Sequence, residues 1–304
     1  GNNAGVVLDN APGARIANNL VYDNVQFGIG GLRPTTNATG AVVTNNTILQ
    51  SGGVAIDIPG GSSGWTLRNN IFALQNARAF SVSAASQLGF SSDYNLFDLG
   101  AGAGIALWGG VPFELLNDWQ LELGFDRNSL AGNPQFANPA GGDGVRGFAG
   151  GVDRGADDDF GLLATSPAID RGDPRSQFWR EPVFAGRLLE GAPLVTYGNG
   201  ARINIGAEGN TRQAQFSPAQ MVQLLSPFGA DRLQSGRSSA VQFRTAGLAA
   251  EDPVLFIDAG GGGVNGAQAW NIWQSDSFRT RGTSFFLGNA VQLGSSDAPA
   301  SMYQ

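Results

Sequence analysis

The sequence contains no cysteine, histidine or lysine, and all 18 of its basic residues are arginine. Without cysteine the chain has neither disulfides nor thiolate sites, so pairing gives no indication of its redox compartment. Without histidine and lysine it lacks the side chains that most often act as general bases near neutral pH. Charged residues make up only 14% of the chain and its net charge is −7, which argues against nucleic acid or an anionic membrane surface as a partner.

Long apolar runs are absent as well. No uninterrupted apolar segment approaches the roughly 20 residues that cross a bilayer, and no secretory signal peptide is visible. What is present is 42% hydrophobic residues and 46 glycines in 304 residues. This composition supports a large core interrupted by many turns, which predicts an all-β protein with one long domain or two ordinary ones.

Paired or single asparagines recur before short apolar runs. The runs are RIANNLVYDN, VVTNNTILQS, TLRNNIFALQ and SSDYNLFDLG, aligned on Asn19, Asn46, Asn70 and Asn95 with steps of 27, 24 and 25 residues. A second set, aligned on Gly5, Gly28, Gly53 and Ala79, lies between these anchors. A period this short, with two or three strands in each repeat and no helical stretch, predicts a parallel β-helix.

Asparagine suits the corner between two strands for two reasons. It tolerates the left-handed backbone region better than other residues with a side chain. Its amide can also bond to the same amide one turn away, about 4.8 Å along the solenoid, so that the four anchors form a ladder. The alternative is a β-sandwich with asparagine-rich loops, which is disfavoured because such loops need not keep register over four repeats.

These repeats resemble those of right-handed parallel β-helix proteins, a class of secreted and surface proteins that includes polysaccharide lyases and hydrolases. The stretches NPQF, SPAIDRGDP and RINIGAEGNT resemble the C-terminal block of large, mostly uncharacterised bacterial surface β-helix proteins. The resemblance covers roughly residues 1–214 and departs from the family pattern at insertions near 141–156 and 188–198. It implies an extracellular or cell-surface location.

The C-terminal block is expected to be structural. Between Pro112 and Leu123 the apolar spacing predicts a short amphipathic helix on the flank of the solenoid. TSPAID (165–170) and INIGA (203–207) are predicted to be strands that close the C-terminal end, since an open last turn exposes unpaired backbone groups.

Residues 215–304 change pattern. Predicted strands there are broken by proline and glycine turns, and the segment resembles the immunoglobulin-like β-sandwich modules that follow such solenoids. Trp270 and Trp273 lie three positions apart and point to opposite faces of a strand, so one is expected in the core. An exposed second tryptophan can stack on sugar rings, but core or edge packing is the favoured interpretation. The predicted domains are therefore a β-helix, 1–214, and a β-sandwich, 215–304.

Few residues favour catalysis. A lyase would need a base, and the only candidates are Arg68, Arg78 and Tyr94, which belong to no recognisable motif. A hydrolase would need two carboxylates, and the repeats place Asp9 and Asp57 at equivalent positions two turns apart, about 9.6 Å, near the upper edge for an inverting pair. Leu32 would lie between them, so they are the weak alternative, and no catalytic residue is otherwise predicted.

No cofactor is required by these patterns, but Ca²⁺ is a candidate ligand. Asp153, Asp157, Asp158 and Asp159 offer hard oxygen ligands on a glycine-rich loop. Their spacing matches neither an EF-hand nor the glycine-rich nonapeptide repeat. An acidic exposed turn is the simpler interpretation.

Two classes of function remain. The first is a non-enzymatic structural or adhesive module of a surface protein, and the second is a polysaccharide-active enzyme or carbohydrate-binding protein that uses the β-helix groove. The first is favoured because histidine and lysine are absent and the carboxylates do not align. The repeat is already in phase at Gly5, so further coils or a neighbouring subunit are expected to cover the first turn, the latter through head-to-tail stacking into filaments.

Overall fold

The computed structural model describes residues 2–31, 37–177, 181, 202–218, 220–226 and 241–246. The chain divides into two compact units, residues 1–196 with 201–217, and residues 197–200 with 218–304. All four repeats found in the sequence belong to the first unit.

Short strands follow one another around the first unit, three to a turn. The first turn contains β1 (Ala4–Leu8), β2 (Arg15–Ala17) and β3 (Leu20–Tyr22), and the second contains β4 (Phe27–Gly31), β5 (Val42–Thr44) and β6 (Thr47–Gln50). The third contains β7 (Val54–Ile58), β8 (Thr66–Arg68) and β9 (Ile71–Leu74), and the fourth β10 (Arg78–Val82), β11 (Ser91–Asp93) and β12 (Leu96–Leu99). Corresponding strands of successive turns pair in parallel. This gives sheet A from β1, β4, β7 and β10, sheet B from β2, β5, β8 and β11, and sheet C from β3, β6, β9 and β12. The predicted parallel β-helix is confirmed.

The register of the sheets stacks apolar side chains in rows inside the solenoid. Ile56 pairs with Phe80 in sheet A, while Ile48, Phe72 and Phe97 form one row of sheet C. None of these five side chains has exposed surface. The rings of Phe72 and Phe97 stack with their centroids 5.3 Å apart. Burial of each such side chain stabilises the fold by about 1.5 to 3 kcal/mol.

A hairpin and a helix close the solenoid after the fourth turn. β13 (Gly104–Trp108) extends sheet A, and β14 (Val111–Phe113) pairs with β13 in the antiparallel sense. The helix α1 (Leu116–Leu123) follows and ends at Gly124, whose φ of 76° is the left-handed conformation common after helices. β15 (Leu130–Ala131) then joins sheet C beside β12.

The predicted helix between residues 112 and 123 is confirmed, and its apolar face covers the end of the core. Trp119 has no exposed surface. Its ring centroid lies 5.8 Å from that of Phe80, 5.5 Å from that of Phe113 and 5.2 Å from that of Phe125. This aromatic plug replaces the apolar contacts that a fifth full turn would make.

Small antiparallel pairs follow α1. They are β16 (Phe136–Asn138) with β19 (Asp159–Leu162), and β17 (Phe148–Ala149) with β18 (Val152–Asp153). The insertion at 141–156 contains the second pair and is tied to the first turn of the solenoid. Arg146 forms an ion pair with Asp23, with Nε 3.1 Å from Oδ2, and the Tyr22 hydroxyl donates a hydrogen bond to Asp158.

The prediction that TSPAID and INIGA form strands at the end of the solenoid is wrong. Both stretches are irregular and run along its side. Their backbone groups bond to each other and to the solenoid: Ile205 N–H donates to Ala168 O, and Gly206 N–H donates to Asn69 O. Because these hydrogen bonds do not continue in a regular series, the two stretches do not form β-strands. Residues 166–176 and 202–210 are called the flank segment below. The insertion near 188–198 lies outside the described residues.

In the second unit the structure describes an antiparallel pair, β20 (Met221–Ser226) and β21 (Gln242–Ala246). The remainder of the predicted β-sandwich, including Trp270 and Trp273, lies outside the described residues. Within the part of the chain that the structure describes, no helix is long and apolar enough to span a membrane.

Two glycines with the same φ provide a matched test of the turn packing. Gly53 and Gly13 both have a φ of 69°. A Cβ at Gly53 would overlap the carbonyl oxygen of Gln26, whereas a Cβ at Gly13 would meet nothing within 4 Å. We expect Gly13→Ala to cost about 1 kcal/mol through backbone strain alone, and Gly53→Ala to cost about 2 kcal/mol more. Urea denaturation of both variants measures the difference, and equal losses would contradict the packing of this turn.

Candidate functional site

The corner between sheets B and C carries two rows of side chains. The inner row consists of the four anchors predicted as a ladder, Asn19, Asn46, Asn70 and Asn95. Asn46 Nδ2 donates to Asn70 Oδ1 at 3.1 Å, and Asn70 Nδ2 donates to Asn95 Oδ1 at 3.1 Å. Asn19 Nδ2 donates to Asn46 Oδ1 at 3.0 Å. Backbone N–H groups of the same residues donate to the same oxygens. The inner row therefore forms a continuous chain of amides along the axis.

The outer row consists of the residue before each anchor, Asn18, Asn45, Asn69 and Tyr94. These four residues have φ values between 52° and 57°. The left-handed conformation that we expected of the anchors thus belongs to their predecessors. Each corner therefore uses two positions. The anchor supplies the side-chain amide of the ladder, and the residue before it adopts the left-handed backbone conformation.

Side chains of the outer row hold the flank segment. Asn18 Nδ2 donates to the carbonyl oxygens of Ala207 and Gly209 at 2.8 Å, and Asn45 Nδ2 donates to that of Asn204 at 3.1 Å.

The next two turns continue these attachments. Asn69 Oδ1 accepts a hydrogen bond from the Asp173 N–H at 2.7 Å, and Asn69 Nδ2 donates to Ser176 Oγ. At the fourth turn the guanidinium of Arg202 lies 5.9 Å from the centre of the Tyr94 ring. The first three turns of the solenoid are therefore hydrogen-bonded to the flank segment, and the fourth contacts it through Arg202.

Asp126 ends the inner row. Its carboxylate accepts hydrogen bonds from Asn95 Nδ2 at 2.9 Å, from Ser129 Oγ at 2.6 Å and from Trp119 Nε1 at 2.9 Å. Complete burial raises the pKa of Asp126, and these hydrogen bonds partly oppose that shift. Asp126 thereby joins the ladder to the aromatic plug. Sequence reasoning missed it because it lies outside the repeat frame.

A second buried carboxyl lies beside the flank segment. Glu181 accepts hydrogen bonds from the backbone N–H groups of Asn204 and Asn210, at 2.8 Å each. Burial raises the pKa of Glu181 to about 8, and the charge of Asp170 acts in the same direction. Glu181 is 3% exposed, so it holds the backbone and is closed to a substrate.

Asp9 was expected to share a row with Asp57, but it lies two residues after the position that does. Val7 pairs with Gly30 and Gly30 pairs with Asp57, so Val7 occupies the row of Asp57 in the first turn. The reason is that Gly28 lies within β4, whereas Gly53 lies in the turn before β7. Aligning the two glycines therefore shifts the frame, and the proposed inverting pair loses its geometric basis.

Asp57 nevertheless faces a groove on sheet A of about 560 Å³. The groove is lined by Gln26, Phe27, Gly31, Gly53, Val54, Asp57, Arg78, Ser81 and Leu107. Arg78 donates to both carboxylate oxygens of Glu114 in a fork geometry.

The lyase candidates do not converge in this groove. Arg68 lies on sheet B, and its Nη1 is 3.8 Å from Asp93 Oδ2 and 3.6 Å from Asp173 Oδ2. Tyr94 lies at the corner near the same carboxylates, where burial and the negative charge of Asp93 raise its pKa. A phenol with a raised pKa is ionised to a smaller extent at neutral pH, so less phenolate is present to act as a base.

Each of the four candidate calcium ligands accepts its own hydrogen bonds from neighbouring groups. Asp153 and Asp159 each accept a hydrogen bond from a backbone N–H two residues later, and Asp157 accepts one from Gly142 N–H. Asp158 accepts hydrogen bonds from the Tyr22 hydroxyl and from Gly147 N–H. Among the described residues, no group of three or more acidic side chains is arranged to hold a metal ion. The structure does not bring these aspartates together into one cation site.

Residues 1–119 match a protein-family model described as a right handed beta helix region. The match covers the four turns and the start of α1. No curated protein and no solved structure matches the chain. This part of the chain is a right-handed parallel β-helix, in agreement with the strand order and register.

Proposed function

We propose that the chain is a rigid, non-catalytic module of a bacterial extracellular or cell-surface protein, with a structural or adhesive role. The observation that carries the proposal is the double attachment of every turn at one corner. The inner row joins each turn to the next, and the outer row joins each turn to the flank segment. Polar groups at this corner thus serve cohesion along the axis.

The charges of the solenoid support the same proposal. Arg78 is paired with Glu114, Arg146 with Asp23, and Arg175 with Asp173. A general acid or base needs a proton that it can exchange with a substrate, and a paired arginine offers none near neutral pH. Neighbouring solenoid coils or further copies of the chain are the partners that we propose for such a module.

A polysaccharide-active enzyme is the second candidate, and the groove on sheet A is the observation that favours it. Its volume falls within the range of about 300 to 1,000 Å³ typical of ligand sites. Asp57 provides a carboxylate there, with the apolar side chains of Phe27 and Leu107 beside it.

Turnover of acidic polysaccharides separates the two candidates. We expect the purified chain to release neither unsaturated nor reducing ends from alginate, pectin or glycosaminoglycan. Ultraviolet absorbance and a reducing-end assay measure the products. Asp57→Ala is compared with Asp118→Asn, whose exposed side chain on α1 is not among the residues that line the groove. Robust turnover that survives in Asp118→Asn and is lost in Asp57→Ala would overturn the structural proposal in favour of the enzyme.

A further inference from the structure

A cavity lies between the β17–β18 hairpin and the end of the first turn of the solenoid. We call it the hairpin cavity. Its volume is about 770 Å³, within the range of about 300 to 1,000 Å³ typical of ligand sites. The side chains that decide its chemistry are those of Tyr22, Asp23, Asn24, Phe148 and Asp153. None of these residues lines the groove on sheet A.

Asn24 offers an unused hydrogen-bond acceptor to the hairpin cavity. The residue is only 8% exposed, and its Nδ2 donates to Tyr22 O at 3.3 Å. No described residue donates to Asn24 Oδ1. Among the described residues the buried side-chain oxygens without a donor are Gln120 Oε1 and Asp158 Oδ1, so Asn24 Oδ1 retains accessible surface. An amide that is almost buried gains free energy when a ligand donates to its unpaired oxygen.

The polar wall of the cavity carries an uncompensated negative charge. Arg146 is paired with Asp23, so these two charges offset each other. Asp153 is exposed and accepts a hydrogen bond from Gly155 N–H. Within the described part of the chain, no cation lies within ion-pair distance of Asp153. The charge of Asp153 is therefore available to a ligand.

The electrostatic field at Tyr22 has the same sign. The Tyr22 hydroxyl donates to Asp158, whose Oδ1 is buried and accepts no hydrogen bond from a described residue. Burial raises the pKa of Tyr22, and the hydrogen bond to Asp158 and the negative charges of Asp158, Asp153 and Asp23 raise it further. A cation in the hairpin cavity is therefore attracted, whereas an anion is repelled.

Two aromatic rings complete the cavity. Phe148 is 64% exposed on β17. The ring of Tyr22 is held by a tilted contact with Phe160, with the centroids 5.0 Å apart. The faces of such rings attract a cation through their quadrupole. Because Asn24 Oδ1 and Asp153 are acceptors, a fitting cation also carries N–H donors, as ammonium and guanidinium groups do.

We propose that the hairpin cavity binds a primary ammonium or guanidinium group through Asn24, Asp153 and the rings of Tyr22 and Phe148. The group can belong to a free organic cation or to a basic side chain of a partner protein, because the two sources share this chemistry. The site goes beyond the structural role proposed above and does not depend on it, since a rigid module can exist with or without such a ligand.

Titration of the full chain, followed by NMR chemical shifts, tests the proposal with two probes of the same shape. Ethylguanidinium carries the charge, and ethylurea is its neutral counterpart. We expect a dissociation constant on the order of millimolar for ethylguanidinium, and binding of ethylurea that is about fivefold weaker or less. Added salt should weaken the binding of ethylguanidinium.

A third probe distinguishes the two sources of the cation. N-acetylarginine N-methylamide carries the same guanidinium on a blocked peptide unit. Tighter binding of this probe than of ethylguanidinium would identify a polypeptide as the source. Equal or weaker binding would identify a free organic cation. Either result supports the site, provided that the charge dependence is observed.

Three variants locate the binding. Asp153→Asn keeps an oxygen for Gly155 N–H but loses the charge, and we expect its affinity for ethylguanidinium to fall about fivefold. Phe148→Ala removes an exposed ring, and we expect a loss of about threefold. Asp118→Asn removes the same charge from an exposed position on α1 that does not line the cavity, so it should bind as the unaltered chain does.

Three outcomes would overturn the proposal. They are no binding of ethylguanidinium, equal binding of ethylguanidinium and ethylurea, and equal affinities of Asp153→Asn and Asp118→Asn. Circular dichroism checks that Asp153→Asn is folded, and if it is not, Phe148→Ala against Asp118→Asn decides the question. The turnover assay compares variants of a different residue, Asp57, so the two proposals fail separately.

Discussion

Asn70→Ala is expected to lower the free energy of unfolding by about 3 kcal/mol. The substitution removes the oxygen that accepts hydrogen bonds from the backbone N–H and the Nδ2 of Asn46, at 2.9 and 3.1 Å. It also removes the donor to Val43 O. Asn46 has no exposed surface, so its N–H cannot turn to water. A buried polar group left without a partner costs about 1 to 3 kcal/mol, and more than one is affected here.

Asn19→Ala is the matched control, because Asn19 belongs to the same row but lies at its exposed end. Its Nδ2 donates to Ala17 O, where water can replace it, and to Asn46 Oδ1, which keeps the hydrogen bond from the Asn19 backbone N–H. We expect a loss below about 1 kcal/mol. Urea denaturation with a common m-value measures both variants. Equal losses at the two positions would show that burial of the ladder does not decide its contribution.

The free energy of unfolding is expected to fall as the pH rises from about 4.5 to about 8. Glu181 has its pKa raised from 4.5 to about 8, chiefly by burial, so the folded chain holds a proton that the unfolded chain releases. Stability from this group is complete below pH 4.5 and is lost as the pH passes through the folded-state pKa. At about 1.36 kcal/mol per pKa unit the full loss is roughly 5 kcal/mol.

Two variants assign this pH dependence to Glu181. Glu181→Gln cannot titrate, so its stability should change less between pH 5 and 9 than that of the unaltered chain. Glu122→Gln, at an exposed position of α1, should retain the full slope. Burial raises the pKa of Glu208 in the same direction, so the difference between variants, rather than the absolute slope, is the quantity to compare. Identical slopes in the two variants would exclude Glu181 as the source.

The turns and the inner row were predictable because both follow from the periodic spacing of residues in the sequence. Asn46, Asn70 and Asn95 recur with apolar runs after them, and a solenoid is the arrangement that brings such positions into register. The row of Asp57 was not predictable from the glycines, because the turns between strands differ in length. Aligning the repeats of this sequence on Gly53 therefore assigns the wrong residue to the row of Asp57. The strand pairing identifies the correct residue.

The flank segment could be recognised as a block but its position could not be predicted. Its contacts join residues more than 100 positions apart, such as Asn69 with Asp173 and Asn45 with Asn204. They are single hydrogen bonds to irregular backbone, which leave no periodic pattern in either partner.

Native-state hydrogen exchange tests most directly whether the four turns and the flank segment form one rigid unit. The amides to follow are those of Asn46 and Asn70, whose N–H groups donate to the next side chain of the inner row, and that of Asn95, whose N–H donates to Ser129 Oγ. In a simple solenoid the turns open progressively from one end. Because the flank segment contacts every turn, we expect the three amides to exchange through a single opening with the same free energy and the same dependence on denaturant. Opening free energies that increase stepwise from Asn46 to Asn95 would contradict the proposed rigid module.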